Sequence, residues 1–121
     1  HYRFSFYFWT LFVKSNKFNL KTTAELIREL REKNGLLLRQ VAAEIEIDQA
    51  LLSKIERGER LPTKEQVIKL AKFYKVDLDE TLVTFFSDKL VYEVQDEDVA
   101  LKAMQVAEKK INYLIKNKNG R

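Results

Sequence analysis

The side chains best suited to chemistry in this sequence lie between positions 49 and 54. Gln49, Ser53 and Lys54 carry an amide, a hydroxyl and an ammonium group, and Ala50 lies between them. Because an α-helix has about 3.6 residues per turn, these four positions share one face. Gln can hydrogen-bond adenine through two atoms, Lys can hydrogen-bond guanine, and Ala50 or Leu51 can pack on a thymine methyl group. The pattern predicts a surface that reads the edges of DNA bases.

The composition argues against catalysis. The chain of 121 residues has no cysteine, and its single histidine is His1, which excludes thiolate chemistry, disulfides and most imidazole chemistry. It has no glycine-rich phosphate loop, and its acidic residues have lysine partners at helical spacing, as on a solvated surface. A hydrolase built on carboxylates alone would also need a cleft, for which a small helical domain has little room. We therefore predict no enzyme, no metal and no cofactor.

Two short apolar segments position these side chains. Within residues 37–58, LLRQVAAEIEIDQALLSKIERG, the apolar positions fall at helical spacing: Val41, Ala42 and Ile45 in the first segment, and Leu51, Leu52 and Ile55 in the second. Asp48 is placed to cap the second segment, and Gly58 is placed to end it. Two short helices that meet at a tight turn form a helix-turn-helix. The second helix, about residues 48–57, is expected to lie in the major groove of DNA with its N-terminal residues foremost.

Local charge supports this hypothesis better than net charge does. The first 21 residues carry four basic side chains and no acid, which is the whole net charge of +4, so the rest is neutral. Four basic residues nevertheless cluster between positions 54 and 64, whereas residues 77–98 hold eight acids against Lys89 alone. This asymmetry suits a one-sided approach to a polyanion. The predicted phosphate contacts are Arg39, Gln40, Arg57, Arg60 and Lys64.

The same periodicity predicts helices on either side. One is capped by Thr22 or Thr23 and ends near Lys33 at Asn34-Gly35; another is capped by Thr63 and ends near Tyr74; a fifth begins at Asp77 or Asp79. The residues predicted to face inward are Leu26, Ile27, Leu30, Val67, Ile68, Leu70, Ala71, Phe73 or Tyr74, Leu82, Val83, Phe85, Phe86 and Leu90. Five short helices with short loops predict an all-α domain over residues 22–95.

The two ends of the chain leave alternatives open. Residues 1–21 are aromatic and then basic, and the apolar run is too short to span a membrane. We expect an extension outside the fold. The alternatives are a strand or wedge packed on the domain or on a partner, and a membrane anchor.

Residues 96–121 are predicted to form a helix that starts between 95 and 98 and frays from Asn117. Its apolar positions Ala100, Met104, Ala107, Ile111 and Leu114 form a two-heptad seam, which either packs back on the domain or pairs two copies.

The run RELREKNGLLLRQVAAEIEIDQALLSKIERGERLPTKEQVIKLAKFYKV resembles the lambda-repressor-like, Xre-type helix-turn-helix family of bacterial and phage regulators. The resemblance covers about residues 22–85. The matching features are Val41-Ala42, Ile45, Ile47, Leu52, the run from Ser53 through Gly58, and Pro62 with the helix after it. The resemblance implies a five-helix domain in which Arg31 and Glu56 form a partly buried salt bridge. It also implies that the base-facing residues are Gln49, Ala50, Ser53 and Lys54.

The sequence departs from the family pattern in two places. The family usually has Gly in the turn where this chain has Glu46, which costs about 1 kcal/mol if the backbone is left-handed. The family also usually has Ser or Thr capping its second helix, followed by a phosphate-binding Gln, where this chain has Leu37 and Leu38. Arg39 is expected to supply the phosphate contact there.

The sequence therefore predicts a cytoplasmic transcription regulator that binds double-stranded DNA. A homodimer on a palindromic operator is expected, with half-sites about 34–36 Å apart. The amino-acid sequence of residues 36–60 is also similar to that of regulators encoded beside restriction–modification genes. The main alternative is a protein-interaction module, such as an antitoxin-like protein whose helix-turn-helix is a scaffold for a partner.

Overall fold

The computed structural model describes residues 20–119. It contains α-helices and no strand within that range. The helices are α1 Thr23–Lys33, α2 Leu38–Glu44, α3 Gln49–Glu56, α4 Lys64–Tyr74, α5 Leu78–Val94 and α6 Ala100–Asn119. The all-α prediction, with five helices followed by an added C-terminal one, is confirmed. The predictions for residues 1–19 lie outside the described residues.

Local capping fixes where the helices begin. The Thr22 hydroxyl accepts from the Glu25 N–H at 3.1 Å, and the Glu25 carboxylate accepts from the Thr22 N–H, which is a complete capping box. Thr63 and Gln66 repeat this arrangement at α4. At α5, Asp77 Oδ1 accepts from the Glu80 N–H at 2.9 Å, so Asp77 rather than Asp79 is the cap. These bonds satisfy N–H groups that a helix leaves without internal partners.

The core is built around the helix-turn-helix. Val41 and Leu52 are fully buried where α2 packs on α3, and α1 adds Ile27 while α4 adds Leu70. The remaining members of this cluster are Ala42, Ile45 and Ile55. Leu51, Phe73 and Tyr74 are partly buried against this cluster, and Leu30 and Ile68 are half-buried. The predicted inward faces of α1 to α4 are therefore the packed ones, and the buried face of α3 lies in the core.

The predicted inward face of α5 was only partly right. Phe85 is buried and Leu82 is half-buried, but Val83, Phe86 and Leu90 are exposed. Thr81 and Thr84 are buried instead, and their hydroxyls donate back to the carbonyls of Asp77 and Glu80. Because these bonds satisfy the hydroxyls inside the helix, threonine can replace a larger apolar residue at the core at little cost.

The described residues divide into two compact units after Lys89. The first unit holds α1 to α4 and most of α5. The second holds the last turn of α5, a turn over residues 95–99 and α6, and none of its described residues is buried. Helix α6 starts at Ala100, two positions after the end of the predicted interval 95–98, and continues past Asn117 to Asn119. In the part of the chain that the structure describes, no helix has the length and apolarity needed to cross a membrane.

Candidate DNA-binding surface

The turn between α2 and α3 has the tight geometry that the motif requires. Glu46 adopts φ +58°, in the left-handed region, and the Ile47 N–H donates to the Ala42 carbonyl at 3.0 Å. This bond closes the C-terminal end of α2 and turns the chain toward α3. Lys69 Nζ lies 3.9 Å from Glu46 Oε2, but both side chains are exposed, so the pair adds little. Because the φ angle of Glu46 is positive, the backbone strain expected at this residue is present.

The first residues of α3 present the predicted base-reading side chains to solvent. Leu52, Ile55 and Glu56 occupy its buried face. Gln49, Ala50 and Lys54 are exposed, and Ser53 is partly exposed. Because the buried face is fixed by the core, the outward face has a fixed orientation. The structure thus brings the four residues together on one accessible side of one helix.

The capping position predicted at this helix is confirmed, but the capping hydrogen bond is absent. Asp48 occupies the capping position, with φ −68° and ψ 139°, but its side chain makes no capping hydrogen bond. The position is correct because the chain must leave the turn in an extended conformation before α3 begins. The carboxylate remains exposed next to the base-reading residues.

A buried ion pair joins α1 to the end of α3. Arg31 Nε donates to Glu56 Oε2 at 2.8 Å, and Arg31 Nη2 donates to Glu56 Oε1 at 2.9 Å. The Glu56 side chain is 5% exposed and that of Arg31 17%. Arg31 Nη1 also donates to the Leu36 carbonyl at 3.0 Å, which ties the loop before α2 to the same guanidinium. The bond to Glu56 raises the pKa of Arg31, which stays charged. This is the pair that the family resemblance implied.

Tyr74 lies beside this pair at the end of α4. Its hydroxyl is buried without a hydrogen-bond partner. Burial, together with the negative charge of Glu56, raises the pKa of Tyr74 to about 12, while Arg31 acts in the opposite direction. The tyrosine therefore stays neutral, and its ring packs against Phe73 with a centroid distance of 5.0 Å.

The basic residues after α3 are less available than the sequence suggested. Arg57 Nη1 donates to the Ser53 hydroxyl, and Arg57 Nε donates to the Glu59 carboxylate. This contact holds the pKa of Glu59 below its usual value and raises that of Arg57. Sequence reasoning missed Glu59, although an acid two residues after an arginine, across the helix-ending Gly58, was a visible signal. A phosphate contact by Arg57 has to compete with Glu59.

The other predicted phosphate contacts have different surroundings. Arg39 and Arg60 are exposed. Gln40 Oε1 accepts from the Leu37 N–H at 2.8 Å, which is one of the two hydrogen bonds of a capping box. The other bond is missing because Leu37 has no polar side chain. The amide NH2 of Gln40 still has its donors for a phosphate. Lys64 Nζ lies 5.9 Å from the ring centroid of Phe86, so a phosphate contact requires its side chain to leave the ring.

Comparisons with known proteins agree with this geometry. Residues 27–81 match a family model described as Helix-turn-helix. Over 67 residues the chain is 36% identical to the HTH-type transcriptional regulator DdrOP3 of Deinococcus deserti. That stretch is 54% of this chain and 52% of the relative, so the chain spans about half the length of the relative. With the fold described above, the matched residues form a helix-turn-helix domain.

Proposed function

We propose that this protein is a sequence-specific DNA-binding regulator of transcription. The observation that carries the proposal is the outward face of α3, where Gln49, Ala50, Ser53 and Lys54 are accessible on a helix held by the core and by the ion pair between Arg31 and Glu56. A reading helix must keep its side chains at a fixed depth in the groove, and this anchoring supplies that rigidity. The similarity to a protein named as a transcriptional regulator supports the same proposal.

The proposed division of labour follows the chemistry of the side chains. Gln49 and Lys54 read base edges, with Ala50 on a thymine methyl group and Ser53 as a short hydrogen-bonding partner. Arg39, Gln40, Arg57, Arg60 and Lys64 contact phosphates and set the register of the helix on the duplex. Arg60 is the phosphate contact best supported by the structure on the C-terminal side of α3, because it is exposed and Arg57 is bound to Glu59.

We further propose that the protein binds a palindromic operator as a homodimer. A two-fold dimer presents two reading helices to two half-sites, which raises both affinity and specificity over a single domain. Control of a restriction–modification locus is the proposed role in the cell. This part of the proposal rests on the sequence similarity of residues 36–60 alone. Binding to the promoter of such genes where they lie beside this one tests that role.

Selection of binding sites from random duplexes, followed by affinity measurements at fixed salt, tests the proposed function. We expect a consensus with two related half-sites, bound at least about a thousandfold more tightly than a shuffled duplex. The same affinity for every duplex, or no binding at low salt, would contradict it.

A protein-interaction module is the second candidate. Its support is the exposed acidic residues of both units, Asp77 and Asp79 in the first and Glu93 with residues 96–98 in the second, which would repel DNA but suit a basic partner. In that case α3 is a scaffold, and substitution of Lys54 would leave partner binding unchanged. The duplex-binding measurement separates the two candidates, because a scaffold selects no consensus.

A further inference from the structure

The second unit, residues 90–119, carries an exposed apolar surface. Large apolar side chains are exposed along it, among them Ile111, Leu114 and Ile115 in the C-terminal half of α6. In the N-terminal half, Ala100, Met104 and Ala107 are half-buried. Since most helices owe their stability to packing of an apolar face, a 20-residue helix with no buried residue needs a surface that covers it.

Charge is divided sharply along this unit. Residues 90–99 carry four acids, three of them at 96–98, and no basic residue. Helix α6 then carries five lysines against Glu108 alone, with Lys116 and Lys118 in its last turn. The acids at 96–98 lie in the turn before α6, and Lys116 and Lys118 follow Ala100 by 16 and 18 residues, or roughly 24–27 Å along the helix axis.

The side chains on the apolar seam also differ in size between the two halves of α6. The N-terminal half has Ala100 and Ala107 on either side of Met104, whereas the C-terminal half has Ile111 and Leu114. Lys118 continues the spacing of the seam, four residues after Leu114. Small residues therefore lie at the acidic end of the seam, and large residues lie at the basic end.

We propose that α6 pairs with α6 of a second copy of this chain in antiparallel orientation. In the register that overlaps the two helices fully, Ala107 faces Ile111, Met104 faces Leu114 and Ala100 faces Lys118 of the other copy. Each layer then joins a small or flexible side chain to a large one, which is how facing helix surfaces interdigitate.

The same orientation matches the charges at the two ends of the pair. The acids at 96–98 of each copy lie near Lys118 of the other, which is on the seam. A parallel pair would instead place Lys118 against Lys118 on the seam, acids against acids at the other end, and Ala107 against Ala107 in a thin layer. Like charges on facing helices are destabilising, so the antiparallel pair is favoured.

This inference supplies the surface for the dimer in the proposed function and rests on it in that respect, but its test requires no DNA. Sedimentation equilibrium of the full chain gives the mass and the dimer dissociation constant. We expect a dimer, and we expect Leu114→Asp to raise the dissociation constant at least about 100-fold, because both copies lose a buried leucine. Tyr113→Asp is the matched control, since Tyr113 is as exposed as its neighbour, at 65% against 64%, but lies off the seam.

Charge exchange tests the orientation. At low salt, Lys118→Glu should weaken the dimer by about tenfold, as should Asp96→Lys with Asp98→Lys. The three substitutions together should restore it, because both ends of an antiparallel pair are again of opposite charge. In a parallel pair each end would keep like charges in every variant, and none of the exchanges would change the dissociation constant.

The outcomes are distinct from those of the DNA experiment. A monomeric chain, a dimer that survives Leu114→Asp, equal weakening by Tyr113→Asp, or a dimer indifferent to charge exchange would each overturn the antiparallel pair. A monomer that still selects a DNA consensus would overturn this surface and leave DNA binding standing. A dimer that behaves as expected but binds no duplex would support the surface and contradict the proposed function.

Discussion

Substitution of Glu56 by alanine should destabilise the first unit strongly. The variant removes the carboxylate from the Arg31 guanidinium, which keeps its hydrogen bond to the Leu36 carbonyl. Removing one member of a buried ion pair typically costs about 3–5 kcal/mol. Because the Arg31 side chain keeps 17% of its exposure and can be partly hydrated, we expect the lower end, about 3 kcal/mol.

That loss is large for a domain of this size. A unit of about 70 residues has a free energy of unfolding of roughly 4–10 kcal/mol. Urea denaturation followed by helical circular dichroism should therefore show a midpoint much lower than that of the native sequence, with a similar slope. The substitution acts on stability and leaves every proposed DNA contact in place.

Glu59→Ala is the matched control. Glu59 also accepts from an arginine, but both partners are exposed, so its removal should leave the urea midpoint almost unchanged. Equal effects of the two substitutions, or an unchanged midpoint for Glu56→Ala, would refute the argument that burial makes the Arg31 pair important.

Three further predictions concern single side chains. Glu59→Gln should strengthen binding to all duplexes and steepen its salt dependence by up to about one counterion, because Arg57 is released toward phosphate; unchanged salt slopes would argue against the competition. Glu46→Gly should raise the free energy of unfolding by about 1 kcal/mol, because Gly adopts φ +58° without strain; a lower urea midpoint would contradict this. Tyr74, with its pKa raised from 10.0 to about 12, favours the folded state fully below pH 10 and loses that contribution as pH rises toward 12. The loss of stability over that pH window should be smaller in Tyr74→Phe, and an identical pH dependence would contradict the assignment.

The sequence was most informative where local chemistry decides structure. Thr22, Thr63 and Gly35 determine helix ends through bonds and backbone angles within four residues, so their roles could be predicted without the fold. The packed faces of α2 and α3 were also predictable, because apolar and polar residues alternate there at helical spacing. The outward position of Gln49 and Lys54 followed directly from that alternation.

Residues that depend on the surroundings were harder to predict. In α5 the apolar residues surround the helix, so periodicity could not show that Thr81 and Thr84 face the core while Phe86 remains exposed. The side chain of Asp48 could cap α3 or remain in solvent, and both choices fit its position. Glu59 changes the interpretation of Arg57 only because the turn after α3 brings their side chains together.

The central claim, that the outward face of α3 reads bases, is tested most directly by comparing Lys54→Ala with Arg60→Ala on a selected duplex and a random one. Affinities are measured for both over a series of salt concentrations. Lys54→Ala should lose roughly 1–3 kcal/mol on the selected duplex and much less on the random one, whereas Arg60→Ala should weaken both equally and lower the salt slope by about one. Equal losses on both duplexes from Lys54→Ala would contradict base reading by α3.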